Sequence, residues 1–329
     1  MRLPPATLHR RGLLSAALAM SAIGLGARIA RAGQPMILLV GAAPGSAVDR
    51  TARSFAPFLE RHLPRTRVAV LNVPGDAGLA AYRTLAMAEA NGTTVGFIST
   101  PSLPARVVDR GGLGLMEQIR LLGGVHKEPI TIVSPSATPL TSARDIFQRA
   151  GADADAVAFG TPAQGSPAHL AALRLQAVAG KKLNIVAFPS AVAARQAVIA
   201  GHVAAAALAL SDALDPLQDR KLVGLGIAAK DRLEAVPDMP PLRDLGLPLS
   251  AFIRRGLAVP AGTPEEINAR LIQAMHAVLA DPEFTAQANE TGTRPFWTTG
   301  ASWTAQAMAE REELSMLWQS APWLPTTTG

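Results

Sequence analysis

The 329-residue chain contains no cysteine. Disulfides, thiolate metal sites, cysteine nucleophiles and a lipid-modified cysteine anchor are therefore excluded. Aromatic residues make up only 4% of the chain, and no basic stripe is interleaved with them. Nucleic acid is thus not an expected partner. Acidic residues are missing from positions 1–32, which hold five arginines. The whole chain carries 31 Lys+Arg and 25 Asp+Glu, so positions 33–329 hold 26 against 25. The basic balance belongs to the leader and says nothing about an acidic partner. Beyond the leader no run reaches the roughly twenty apolar residues of a membrane span. His62, His126, His169, His202 and His276 show no metal-ligand spacing and read as surface or capping residues, so neither metal nor cofactor is expected. Trp297, Trp303, Trp318 and Trp323 read as core packing in the C-terminal part.

What is present begins with a leader. Arg2, Arg10 and Arg11 precede an uncharged, largely apolar run, Gly12 to Ala27, and Ala30-Arg31-Ala32 stands before Gly33. This is the layout of an export signal cleaved after Ala32, which sends the remainder to the periplasm. Arg10-Arg11-Gly12-Leu13-Leu14 fits a twin-arginine signal and equally an ordinary Sec signal with two adjacent arginines. The remaining chain, roughly 297 residues, is long enough for two domains resting on their cores.

The remainder alternates strand and helix patterns. Apolar Met36–Val40 turns through Gly41, Pro44 and Gly45 into a helix over Ala47–Leu63. Val68–Val73, helix Leu79–Glu89 and strand Thr94–Ser99 follow, then strands Ile119–Gly123 and Ile130–Val133. A helix over Ser142–Ala150 is capped by Thr141 or Ser142. A second series then opens: strand Val157–Phe159, helix Pro167–Ala179, strand Leu183–Phe188, helix Ala191–Ala200, strands Val203–Leu210 and Leu222–Ala228. Strand Phe252–Val259 leads to a helix from Pro264, capped by Thr263, to Leu279. Helix Pro282–Asn289, strand Arg294–Trp297 and helix Ser302–Leu317 close the chain, with a frayed tail after Ala321. Repeated βα units argue for parallel sheets whose strand-exit loops bind ligands at one edge. Free backbone N–H groups at a helix start suit a carboxylate or phosphate.

Four stretches carry a resemblance: Pro44-Gly45-Ser46-Ala47-Val48-Asp49, Asn72-Val73-Pro74-Gly75-Asp76-Ala77-Gly78, Gly160 through Leu170, and Leu257 through Pro264. Together they resemble the Bug-type periplasmic receptors, the solute-binding proteins of tripartite tricarboxylate transporters, with matching spacing from Met36 to Trp318. The resemblance implies an α/β, two-domain, periplasmic-binding-protein-like (Venus flytrap) fold without catalysis. Residues 33–134 plus 250–329 would form one domain and 135–249 the other. A small organic acid would sit between them and pass to a membrane permease of that transporter type, with the receptor a monomer. Carried over by position, first-loop contacts are Ala43, Pro44, Gly45, Ser46 and Ala47, with Asp49 bracing the turn. Second-domain contacts are Thr161, Gln164, Gly165 and Ser166, with His169 orienting that loop, and Ser190 and Ala191 stand at the third loop.

The chain departs from the family pattern in places that bear on the ligand. Ala42-Ala43 stands where the family places an aromatic, Ser46 replaces a glycine, and Phe188-Pro189-Ser190-Ala191 replaces Tyr-Lys-Gly-Gly. Ala204 and Leu208 occupy places usually held by aspartates. The expectation is a larger or more apolar pocket, open to a monocarboxylate, an aromatic acid or a heterocyclic acid as well as a dicarboxylate. Two other classes stay open. A ligand-sensing module for a membrane sensor kinase needs only the same ligand-dependent surface. A hydrolase using Ser166 and His169 would need a Gly-x-Ser-x-Gly elbow, which Gln164-Gly165-Ser166-Pro167-Ala168 does not supply.

Overall fold

The computed structural model describes residues 34–112, 114–138, 140–151, 153, 157–290 and 295–324, the side chains of 289 and 290 excepted. The export signal and its cleavage point lie outside the described residues, as does Arg294 at the start of the last expected strand. Among the described residues no helix is long and apolar enough to cross a membrane.

Strands β1 (Gln34–Val40), β2 (Thr66–Asn72) and β3 (Thr94–Thr100) pair in parallel with β1 in the middle. Alternation along β1 divides its side chains between two layers. Met36, Leu38 and Val40 pack with Phe55, Leu59 and Phe97, while Leu39 packs with Tyr82, Leu85 and Trp303. Helix α1 (Ala47–Arg61) buries Ala52, Phe55, Phe58 and Leu59 along one stripe, and α2 (Leu79–Ala86) covers the opposite face. Two short helices, α3 (Ser102–Asp109) and α4 (Leu115–Gln118), fill a stretch that carried no sequence assignment.

The expected parallel sheet is interrupted by two antiparallel strands. The segment read as Ile119–Gly123 and Ile130–Val133 is a single strand, β4 (Ile119–Pro135). Its first part pairs β9 (Phe252–Pro260), and its last part, Ile130–Val133, pairs β7 (Ala205–Ala209). Gly124, His126, Lys127 and Pro129 look like a break by propensity, but β9 supplies partners along the whole stretch, with bulges absorbing the irregularity. β4 thus runs out of the first half-sheet and into the second.

The second half-sheet holds β5 (Ala158–Thr161), β6 (Asn184–Ala187) and β7 in parallel, with β8 (Leu222–Ile227) antiparallel on β4. Helices α5 (Ala143–Ala150), α6 (Pro167–Ala179) and α7 (Ala191–Ile199) cover it, and α8 (Leu210–Gln218) follows β7 directly. The strand expectation over Val203–Leu210 therefore runs one residue into a helix that the sequence patterns do not show. The whole order is β2-β1-β3-β9-β4-β7-β5-β6, with β10 (Pro295–Thr299) and β8 added on β4. Helices α9 (Glu265–Leu279), α10 (Pro282–Glu290) and α11 (Gly300–Ser320) return to the first half-sheet.

Three local expectations are corrected. Thr263 does not cap α9; the cap position is Pro264, and the Thr263 hydroxyl donates back to the Pro260 carbonyl at 2.8 Å. Of the tail after Ala321, Trp323 is docked, being 3% exposed and packed with Ala105, Leu170 and Leu314, while residues 325–329 lie outside the described residues. His126 and His169 are buried rather than at the surface, at 4% and 5% exposure, because one lies in the central strand and the other faces a loop behind α6.

Candidate functional site

Three strand-to-helix turns converge on one cavity of about 430 Å³. They follow β1, β5 and β6, and each ends in a serine that caps the next helix. Ser46 accepts the N–H of Asp49 at 3.4 Å, Ser166 that of His169 at 3.3 Å, and Ser190 that of Ala193 at 3.1 Å. In this role the hydroxyl oxygen is the acceptor, so each O–H hydrogen is left to donate elsewhere. The first N–H groups of each helix have no partner within it and add partial positive charge at the same end.

Two of the turns are built alike. Gly45 and Gly165 precede their serines with φ of +79° and +71°, a conformation that glycine adopts without a Cβ penalty. The residue three beyond each serine reaches back to the glycine amide. Gly45 N–H donates to Asp49 Oδ2 at 2.8 Å, and Gly165 N–H donates to His169 Nδ1 at 3.4 Å. Asp49 is 2% exposed. Burial opposes its charge, but hydrogen bonds from Gly45, Asn72 and Arg53 outweigh that, and its pKa lies below the usual value. Asn72 also donates to the Ala42 carbonyl at 2.9 Å, tying the first loop to β2. Among the described residues no carboxylate supports a charge on His169, and burial pushes its pKa down to about 4, so the ring is neutral and Nδ1 accepts.

The second turn is held from behind by a buried ion pair. Arg106 of α3 donates to the Gly165 carbonyl at 3.1 Å and to Asp109, and Trp323 Nε1 donates to Asp109 Oδ2 at 2.7 Å. The Cβ of any larger residue at 165 would collide with Arg106 and meet Trp323 at 3.0 Å. This support joins elements on either side of the cavity and left no trace in the local sequence patterns.

Of the residues expected at the site, Ala43, Ser46, Ala47, Gln164, Gly165, Ser166, Ser190 and Ala191 line the cavity. Asp49 and His169 stand behind their turns as braces, and Pro44 and Gly45 form the outer, exposed side of the first turn. Thr161 is fully buried, and its hydroxyl donates to the Pro162 carbonyl at 2.9 Å. Leu208 points the other way, into a cluster with Val133, Val198 and Val203. Strand alternation gives the cavity wall to Ala209 instead.

The cavity also includes residues that were not foreseen. Ser99 and Ser102 come from the end of β3 and the start of α3, another strand-to-helix turn, and its position beside a strand end was the available signal. Asp212 of α8 and Arg255 of β9 come from stretches with no motif. Arg255 is 3% exposed and pairs with Glu128, which also accepts the Ser211 N–H at 3.1 Å. Burial works against the Glu128 charge, yet Arg255 and the donors around it hold its pKa far below the usual range. Burial and nearby Glu128 raise the Asp212 pKa, with Arg255, Arg50 and Arg195 opposing. Arg50 of α1 meets Asp212 at 3.4 Å from across the cavity. Among the described residues no group of three His, Asp or Glu side chains is placed to hold a metal ion.

The cavity thus offers serine hydroxyls and helix amides at one end and apolar walls, among them Ala42, Phe97, Ala163 and Ile253, elsewhere. Such a site suits an anionic group on an otherwise apolar body.

Comparison with known proteins agrees with this architecture. Residues 51–314 match the family described as tripartite tricarboxylate transporter family receptor. Protein BugT of Bordetella pertussis is 27% identical over 269 residues, covering 77% of this chain and 80% of its own. MatC from Rhodopseudomonas palustris, solved with bound malate, superposes with a TM-score of 0.76 at 22% identity, covering 86% of this chain and 98% of that one. A second protein of R. palustris, solved with adipate, gives a TM-score of 0.77 at 21% identity and covers 87% and 97%. The fold is therefore that of the two-domain periplasmic binding proteins, and the chain belongs to the tripartite tricarboxylate transporter receptor family.

Proposed function

We propose that this protein captures a small carboxylate-bearing metabolite in the periplasm and delivers it to a membrane permease of the tripartite tricarboxylate type. The observation that carries the reading is the convergence of three serine-capped helix starts, Ser46, Ser166 and Ser190, on one cavity. Hydrogen bonds to a charged acceptor contribute about 1.5–3 kcal/mol each, and a few of them suffice for micromolar affinity. The malate and adipate bound by two proteins of the same fold support a carboxylate as the ligand.

The lobes in this reading are residues 33–134 with 250–329, and residues 135–249. Ser46 and Ala47 contribute from the first lobe, and Gln164, Gly165, Ser166, Ser190 and Ala191 from the second. Asp49 and His169 position their turns without touching the ligand. The alanines at 42, 43, 47 and 209 leave room for a body bulkier than a short dicarboxylate, so aromatic and longer aliphatic acids are included. Binding rather than nucleophilic catalysis is favoured at Ser166. Its oxygen meets the backbone N–H of His169, while the ring nitrogen of His169 faces Gly165 instead.

A thermal-shift panel on the chain from Gly33 tests the reading, using mono- and dicarboxylates, aromatic acids and heterocyclic acids. A ligand at about 100 times its dissociation constant adds about 2.7 kcal/mol of stability. An absence of any shift across the panel would sink the carboxylate assignment.

A further inference from the structure

The β4–β9 pairing sets Lys127 opposite Arg254, Glu128 opposite Ile253 and Pro129 opposite Phe252. Alternation therefore sends Lys127, Pro129 and Phe252 to the face opposite that of Ile253 and Arg255, which line the serine-capped cavity. On that far face lies a separate cavity of about 760 Å³, and among the described residues it shares no wall residue with the first. One side of it comes from the stretch after β8, Ala229 to Ala235, and the other from Pro295 and Phe296 at the start of β10. We propose that this cavity is a second ligand site, which takes an amphipathic organic anion, an apolar body with one acidic head. The site does not depend on the carboxylate reading of the serine-capped cavity.

Lys127 sets the charge of the head group. Its ammonium lies over the Phe252 ring at 4.0 Å and the Phe296 ring at 4.9 Å, and no carboxylate pairs with it among the described residues. Arg254, the neighbouring cation on the same face, is committed to Glu310 at 2.8 Å. Burial and Arg254 push the Lys127 pKa down, and an anion beside it offsets both. Lys230 stands exposed at the rim and forms no ion pair among the described residues. The acidic residues on the walls are engaged elsewhere. Glu128 holds Arg255 and the Ser211 N–H, Asp231 meets Arg243 at 3.6 Å, and Glu234 makes an interaction of its own. The charge left to a ligand is therefore positive.

The rest of the wall is apolar. Leu210, Leu233, Phe252 and Phe296 line it, and Phe296 keeps 39% of its surface exposed. The volume falls in the range of sites that enclose a small organic molecule. A ring or short chain set against Phe296 and Leu233 removes apolar surface from water, while its head meets the ammonium that the two phenylalanines already hold in place. Such an occupant touches both half-sheets and the two strands that join them.

Calorimetry with naphthalene sulfonate on the chain from Gly33 tests the site. The expected result is saturable uptake at a single site, with the uncharged naphthalene sulfonamide bound roughly tenfold more weakly. Lys127→Met keeps the stem and removes the charge, and Ala235→Trp fills the cavity from its exposed rim. Each should weaken uptake of the sulfonate by roughly tenfold. Ser166→Gly should leave that uptake as it is. An absence of saturable uptake, equal uptake of the sulfonamide, or uptake that survives both variants overturns the site. Loss of uptake in Ser166→Gly overturns it as well, because the probe then sits at the serine caps. Each of these failures leaves acid capture at the serine caps standing.

Discussion

Gly165 and His169 are joined across one helix start, the amide of the first donating to Nδ1 of the second at 3.4 Å. Gly45 and Asp49 repeat the arrangement on the opposite jaw with a carboxylate in place of the imidazole. The two acceptors differ in how they respond to pH. Asp49 stays charged because donors surround it, whereas His169 stays neutral because burial denies it charge. The second jaw is therefore acid-sensitive in a way that the first is not.

The pH dependence follows from that difference. The His169 pKa falls from the ordinary 6.5 to about 4 in the folded protein. Between those values the unfolded chain binds more protons, so stability rises with pH across the window and is fully present above it. The contribution lost on acidification is about 3 kcal/mol at most. Thermal melts from pH 7 to pH 4 should show this loss, and His169→Gln, which keeps an acceptor but cannot titrate, should remove most of it. An unchanged pH profile in His169→Gln would place the acid sensitivity elsewhere.

Ser166 has two duties that substitution can separate. Ser166→Gly removes the hydroxyl but retains much of the capping preference, costing a few tenths of a kcal/mol of stability. Affinity for an acid ligand should nevertheless fall about tenfold, since one charge-assisted hydrogen bond is lost. Calorimetry paired with a melting curve checks both. Equal affinity in the variant would remove Ser166 from ligand contact.

Arg106 and Asp109 form a pair with side chains 1% and 0% exposed. Breaking one partner leaves the other charge buried, at a cost of about 3–5 kcal/mol. Asp109→Asn should therefore destabilise strongly, while Arg106→Met with Asp109→Leu should cost less than the single change. Denaturant unfolding of both variants tests the comparison. A double variant weaker than the single one would show that Arg106 contributes chiefly through its bond to Gly165.

Arg50 and Asp212 link α1 to α8 across the cleft. Arg50 is half exposed, so Asp212→Asn should change stability by less than about 1 kcal/mol. The pair bridges the two sides of the cleft, so its loss should speed ligand release by up to about fivefold. Stopped-flow dissociation measures this, and an unchanged release rate would deny the pair any part in closure.

Much of the cleft was legible because local chemistry dictates it. Strand, small-residue turn, serine and helix can be read in order, and the caps at Ser46, Ser166 and Ser190 follow from propensities within a few residues. The reading failed where a residue's surroundings come from distant segments. The family resemblance puts the position of Leu208 at the ligand but does not give its facing, and one step of strand alternation turns the side chain into the core. Arg255, Glu128 and Asp212 occupy apolar-looking or unassigned stretches and meet only when β9, β4 and α8 are brought together.

By itself the sequence determined the βα units, the capped turns, the family and the anion-friendly character of the loops, since each depends on contacts a few residues apart. Only the tertiary structure decided that β4 is one strand shared by both half-sheets, and that Trp323 returns to brace the second jaw. It also decided that Lys127 lies over two phenylalanine rings in a cavity apart from the first. Those features depend on pairing between segments about seventy to more than two hundred residues apart, and no local propensity encodes which distant strand or side chain will arrive to complete them.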